Sequence, residues 1–277
     1  MTKFLVPTDF SDTSKNAARF AVQAVANAKD KDSTIILYNL HDVVAAGSDG
    51  SLLTETENDR LVILTDALEN LKSELLTLGN VKIEIVLEAG SSLVDSLERY
   101  VRHHGIDLVI MGITGATRLE QIFMGSNTLN LVDKGIGPVM IVPPDATYHS
   151  IKNIALASDL KDVETTTPVA PIRSVLQLFG ASLHIVNVDS EHYVDITDEY
   201  KSEKAKMEKM FSGYSPEFYF IRQYDFQEAI SQFSIDRAID TIIIVPKRNS
   251  FLSGLFKTSH TKKLAYHSHI PIVAIHE

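Results

Sequence analysis

The chain has no cysteine among its 277 residues. Disulfides and thiolate metal sites are therefore excluded, and a reducing compartment, the cytoplasm, is the expected location. No apolar run reaches the roughly 20 residues that a membrane-spanning helix needs. The first residues carry no basic segment followed by an apolar one, so no secretory signal is expected. Basic residues are in deficit, with 26 Lys and Arg against 36 Asp and Glu. That balance argues against a nucleic-acid surface, which needs cations to displace the counterions around phosphates. The deficit is concentrated at one end. Residues 1–146 hold 12 basic against 20 acidic side chains, whereas residues 147–277 hold 14 against 16. An anion bound by the acidic half must therefore be held by backbone donors, hydroxyls or a divalent cation.

What is present is an ordinary globular composition, 44% hydrophobic and 22% charged, on a chain long enough for one large or two small domains. Its organising stretch runs from Met111 to Pro143. An apolar run, Ile106 to Ile110, has the length and β-branched content of a strand. Gly112 and Gly115 follow it directly, then Gly125 and Ser126, giving Gly-x2-Gly-x9-Gly-Ser. Glycines let a backbone approach an anion closely or turn with positive φ. N–H groups at a helix start point at such an anion with the positive end of the helix dipole. Thr114, Ser126 and Thr128 add uncharged donors. The glycines alone fit equally well a plain turn after a strand and a helix cap.

Elsewhere in the first half, Lys3 to Pro7 reads as a strand, followed by the cap-rich Thr8-Asp9-Phe10-Ser11-Asp12. The next helix keeps Ala17, Phe20, Ala21, Ala24, Val25 and Ala28 on one face. Asp9 stands at the carboxyl end of a first parallel strand, where such sheets bind ligands. A carboxylate at a helix start also stabilises the dipole by about 0.3–1 kcal/mol. Ser33 to Leu40 is a second strand, and His41-Asp42 is read as its solvated end rather than an acid–base pair. From about Glu55 a long helix carries one stripe of Leu61, Leu64, Leu68, Leu71, Leu75 and Leu78, expected to lie on a sheet. Val81 to Leu87 alternates as a half-buried strand. Gly90-Ser91-Ser92 caps a helix that His103-His104-Gly105 ends. A short helix through Val132 and the strand Pro138 to Val142 complete a βαβ series, which means a parallel sheet.

After Pro143-Pro144-Asp145-Ala146-Thr147 the pattern restarts. Ile151 to Leu160 echoes the first strand, with Asp159 in the place of Asp9, and Ser182 to Val188 echoes the second. Phe218 to Tyr224, Ile239 to Val245 and Pro271 to Ile275 supply three more strands, with a short charged helix at Lys201 to Met210. The expected architecture is α/β, with domains at 1–146 and 147–277. Aligning Pro271 on Pro138 puts Val245, Arg248 and Thr258 where Gly112, Gly115 and Gly125 stand, and only Ser259 keeps the type of Ser126. Pro246 also removes an N–H donor. The phosphate cradle is thus lost from the second copy. Lys247, Arg248 and Lys257 read as a solvated basic face rather than as contacts to some other anion, and His260, His267, His269 and His276 as surface residues or helix-end partners rather than metal ligands.

The spacing Gly-x2-Gly-x9-Gly-Ser, with its flanking strands and Phe4-Leu5-Val6-Pro7-Thr8-Asp9-Phe10-Ser11, resembles the universal stress protein family, well over residues 1 to about 146 and more weakly beyond. The resemblance implies two tandem doubly wound domains of the adenine nucleotide alpha-hydrolase-like type, each a five-stranded parallel sheet in the order 3-2-1-4-5. They would pair through their fifth strands, with Val139 to Val142 beside Ile272 to Ile275, as a dimer made covalent; a further homodimer of whole chains is compatible with it. It also implies ATP as the ligand. Asp9 and the Leu40 backbone would meet the adenine, with Pro7 and Thr8 lining the pocket. Met111 and Gly112 would lie by the ribose. Thr114, Gly115, Gly125, Ser126, Asn127 and Thr128 would hold the phosphates, with magnesium or manganese bridging phosphate oxygens rather than side chains. Thr114 departs from the family's frequent His, and Asn127 from a small apolar residue. The implied role is nucleotide binding in a stress response. Arg118 is the only Lys, Arg or His in residues 112–128, and no general base is evident there, so no catalytic residue is assigned and at most slow hydrolysis is expected. A structural tandem protein binding some other metabolite is the remaining alternative.

Overall fold

A computed structural model describes residues 2–30, 32–42, 53–113, 126–189, 198–223, 226–246 and 270–276. The first half of the chain runs β1 (Lys3–Pro7), α1 (Asp12–Ala26), β2 (Thr34–His41), α2 (Leu53–Leu76), β3 (Lys82–Ala89), α3 (Leu93–His104), β4 (Leu108–Gly112), α4 (Ser126–Asp133) and β5 (Val139–Val142). The rest runs β6 (Asn153–Ala157), α5 (Val163–Thr166), α6 (Val169–Phe179), β7 (Ser182–Asp189), α7 (Asp198–Met210), β8 (Glu217–Arg222), α8 (Phe226–Asp236), β9 (Thr241–Ile244) and β10 (Ile272–Ala274). Among the described residues no helix is long and apolar enough to cross a membrane.

All ten strands form one sheet in the order β3-β2-β1-β4-β5-β10-β9-β6-β7-β8. Every neighbouring pair is parallel except β5 and β10, which run antiparallel with Ile141 opposite Ile272, Met140 opposite Val273 and Val139 opposite Ala274. The central strands are unbroken apolar runs because helices cover both faces. Phe4, Leu5 and Val6 of β1 and Ile242, Ile243 and Ile244 of β9 are all fully buried. One face packs on α1, α2, α6 and α7 through residues such as Ala17, Phe20, Leu68, Leu176 and Met207. The other packs on α3, α4 and α8 through Leu97, Leu131 and Ile230.

The leucine stripe of α2 is only partly applied to the sheet. Leu68, Leu71 and Leu75 are buried, but Leu61 and Leu64 are half-buried and Leu78 is exposed. The helix stops at Leu76, so Leu78 lies past its end rather than on its buried stripe. The helix after β6 also departs from its counterpart after β1. Where α1 is continuous over 15 residues, Thr167-Pro168 divides the later segment into α5 and α6. Proline lacks the N–H that a continuous helix would use there.

Candidate functional site

The turn between β1 and α1 is built by side chains that take the place of a regular ladder. Asn39 on β2 donates from Nδ2 to the Thr8 carbonyl at 2.8 Å, and the Thr8 N–H donates to the Tyr38 carbonyl at 2.8 Å. Thr8 Oγ1 accepts from the Phe10 N–H at 3.1 Å, which holds Phe10 in the left-handed region at φ 63°. Asp9 Oδ1 accepts from both the N–H (3.1 Å) and the hydroxyl (2.5 Å) of Ser11. Ser11 is in turn the N-cap of α1, its oxygen accepting from the Ser14 N–H. Burial acts to raise the Asp9 pKa, but hydrogen bonds from Ser11 and Ser14 outweigh it and hold the carboxyl below its ordinary value.

These residues form one wall of a cleft of about 470 Å³ at the carboxyl ends of β1, β2, β3 and β4. Its volume lies within the roughly 300–1,000 Å³ of small-molecule sites. Pro7, Thr8, Asp9, Leu40, Met111, Gly112, Asn127 and Thr128, all singled out from the sequence, line it together. Ser126 opens α4, and Thr114, Gly115 and Gly125 lie outside the described residues. The lining also includes Ser11, Thr13, Ser14, Asn39, Asp42, Ser91, Ser92 and Leu93. From the sequence, Ser91 and Ser92 read as a cap and Asp42 as a strand end. The available signal was positional: in a doubly wound sheet the residues just past every central strand face the same crevice. His41 departs from the solvated reading, being 7% exposed, with Nδ1 3.3 Å from the Asp42 carbonyl oxygen.

The described lining contains two carboxylates, Asp9 and Asp42, and no Lys, Arg or His. Positive potential comes instead from helix starts. Ser11 and Ser92 are the N-caps of α1 and α3, and Asn127 and Thr128 belong to the first turn of α4; all four line the cleft. Three dipoles therefore converge on it. Asn39 Oδ1 is buried and has no protein partner.

Gly112 owes its identity to packing. It does not have positive φ, and a β-carbon there would lie 2.5 Å from the Thr13 carbonyl oxygen. The glycine lets the first turn of α1 rest on the end of β4. This corrects the expectation that it turns the chain with positive φ.

A second hollow of about 630 Å³ lies at the other ends of the strands, lined by Asp30, Asp32, Thr34, Asn80 and Lys82 among others. There α1 presents its carbonyl end through Val25 and Ala26, which repels an anion. Among the described residues no group of three His, Asp or Glu side chains is placed to hold a metal. Lys247, Arg248, Lys257, Thr258, Ser259, His260, His267 and His269 lie outside the described residues, and His276 is half-exposed.

The sequence model of the universal stress protein family matches residues 1–143. A universal stress protein of Methanocaldococcus jannaschii is 31% identical over 157 residues, covering 50% of this chain and 93% of its own. A second from the same organism is 30% identical over 145 residues, covering 50% and 81%. Among solved structures, a universal stress protein from Archaeoglobus fulgidus matches 99% of this chain and 96% of its own with a TM-score of 0.65 at 15% identity. One from Pseudomonas aeruginosa matches 100% and 93% with a TM-score of 0.61 at 12% identity. At these identities the structural likeness is one of fold.

Proposed function

The chain belongs to the universal stress protein family, and we propose that the cleft at the head of its first half binds ATP as part of a cytoplasmic stress response. The observation that carries this reading is the convergence of Pro7, Thr8, Asp9, Leu40, Met111, Gly112, Asn127 and Thr128 on one cleft. The adenine would lie by Asp9 and the Leu40 backbone, the ribose by Met111 and Gly112. The phosphates would run toward Thr114, Gly115, Gly125, Ser126, Asn127 and Thr128. A magnesium or manganese ion on the phosphates would supply the positive charge that the described lining lacks. With no Lys, Arg or His in that lining, the reading is of a binding protein that hydrolyses ATP slowly at most.

The ten-stranded sheet is read as two tandem five-stranded domains, 1–146 and 147–277, joined edge to edge as an intramolecular pseudo-dimer. Repeated hydrogen bonds support this. Asn187 donates to the Ser158 carbonyl at 3.0 Å as Asn39 does to Thr8. The Leu160 N–H donates to Ser158 Oγ, and Leu160 has φ 50°, as at Thr8 and Phe10. Asp240 holds the N–H of Asn153 as Asp107 holds that of Lys3.

The second domain is read as silent toward nucleotide. Strand register sets Ile244 opposite Ala274 and Met111 opposite Ile141, so Val245 stands in the place of Gly112, with its side chain in the core. Denaturing the purified protein and resolving released nucleotide by anion exchange tests the reading, beside a turnover assay with a Ser126→Ala control. Bound ATP without appreciable turnover supports it; no nucleotide, bound or added, would sink it.

A further inference from the structure

The helix that walls the cleft is also the helix that grips the second half of the chain. Its first turn supplies Ser11, Thr13 and Ser14 to the cleft, pinned by Thr8 Oγ1, 3.1 Å from Ser14 Oγ, and seated on Gly112. One turn further on, Asn16 donates from Nδ2 to two carbonyls, those of Pro143 and Ala146, each at 3.1 Å. Both carbonyls belong to the segment between β5 and β6. The next turn sets Phe20 edge-on to Tyr148, ring centroids 5.5 Å apart. Just past the helix end the Lys29 N–H donates to the Leu178 carbonyl, and the Lys29 side chain lies against Gly180 at the end of α6. Thus one helix of about 22 Å touches the cleft at its start and the joining segment at its middle, and the turn that follows it touches α6.

From Pro143 to Thr147 the described residues give this segment few other hydrogen bonds, whereas Ser150 and Lys152 are held by Asp240. Pro143 and Pro144 have no N–H to donate, and the Ala146 N–H is satisfied by the Pro143 carbonyl within the segment itself. Ala146 is buried, while Asp145 and Thr147 are exposed. A single side chain, Asn16, therefore satisfies two carbonyls of a proline-rich connection whose geometry sets how β5 leads into β6.

We propose that Asn16 is a positioning residue that links occupancy of the cleft to order in the segment 143–148, so that α1 reports the ligand state of the first half to the second. This rests on the cleft being a nucleotide site. A ligand that fixes the first turn of α1 steadies Asn16 one turn away and with it the two carbonyls. Linkage makes the effect reciprocal: whatever loosens the segment through Asn16 weakens the ligand by the same factor.

Amide hydrogen exchange of the full chain, with and without magnesium ATP, tests it, read at Asp145, Ala146, Thr147 and Tyr148 and normalised to the buried strand β9. The expected result is that ATP slows exchange in the segment about fivefold, that Asn16→Ala abolishes the slowing, and that the same substitution weakens ATP about fivefold. ATP binding that leaves both the segment and the affinity of Asn16→Ala unchanged would overturn the coupling. If calorimetry shows no ATP binding, the nucleotide reading fails, and the coupling is read without ligand from Ser14→Ala. That change loosens the first turn, and it should speed exchange at 145–148 relative to β9; unchanged exchange there overturns the coupling by itself.

Discussion

The carbonyl oxygen of Thr13 lies 2.5 Å from where a β-carbon on Gly112 would stand. No real β-carbon sits so close to backbone, so any side chain there must push the first turn of α1 off the end of β4. Gly112→Ala is expected to cost about 1–3 kcal/mol, the range for overpacking a tight site, and to weaken nucleotide binding by displacing Ser11 and Ser14. Urea unfolding and titration of ATP check the two effects. An alanine variant with wild-type stability would show that the turn can give way freely.

Asp9 supports the same turn from the other side. Its carboxylate is held below its ordinary pKa because the Ser11 and Ser14 hydrogen bonds outweigh burial. A folded-state pKa below the unfolded value of about 3.9 contributes stability that is present above that value and lost as pH falls through the folded one. Asp9→Asn should therefore be less stable than wild type at neutral pH and should lose less on acidification below about pH 4. Parallel acid titrations of the two proteins, followed by circular dichroism, give the comparison; coincident curves would remove Asp9 from the account.

His184 on β7 is expected to set a second pH dependence, of different origin. Burial pushes its pKa down, the nearby Glu217 pulls it up at 3.9 Å, and Arg237 again lowers it. Its Nδ1 has no hydrogen-bond partner, while Nε2 lies 3.4 Å from Asn153 Oδ1 and its ring lies against that of Tyr219. With the folded value below the unfolded value of about 6.5, the unfolded chain takes up the proton first. Stability should then fall as pH drops from 6.5 toward the folded value. His184→Gln should flatten that slope in urea titrations between pH 7 and 5. An unchanged slope would mean that other groups govern the window.

Much of the fold was legible because its strands are buried on both faces and its helices on one. Phe4 to Val6 and Val139 to Val142 read as continuous apolar runs, and Ser11, Ser92 and Gly105 marked helix ends with cap chemistry that the structure uses. The end of α2 was not legible, because Leu78 continues the leucine spacing although the helix stops at Leu76, and Leu78 is exposed. The break between α5 and α6 had a signal in Pro168.

The position of the cleft was legible where a strand end alone suffices, as at Asp9 and Gly112, which both line it, although the packing role of Gly112 was not. It was not legible where the chemistry is shared between strands. Nothing in the sequence ties Asn39 to Thr8, 31 positions away, and only the parallel register of β1 and β2 brings them together. Glu203 is a similar case. Lys161 stands where Ser11 caps α1, and the Val163 N–H is met instead by the buried Glu203 carboxylate from α7 at 2.8 Å. The Lys206 ammonium at 2.6 Å and that N–H keep the Glu203 pKa low.

The most direct test of the account is a calorimetric titration of the full chain with magnesium ATP, beside Gly125→Val in a variant shown to fold. The account predicts one ATP per chain in the wild type and none in the variant, because the glycine motif lies in the first half and Val245 stands in the place of Gly112 in the second. Two ATP per chain would contradict the silent second half, and no heat of binding would contradict the nucleotide site itself.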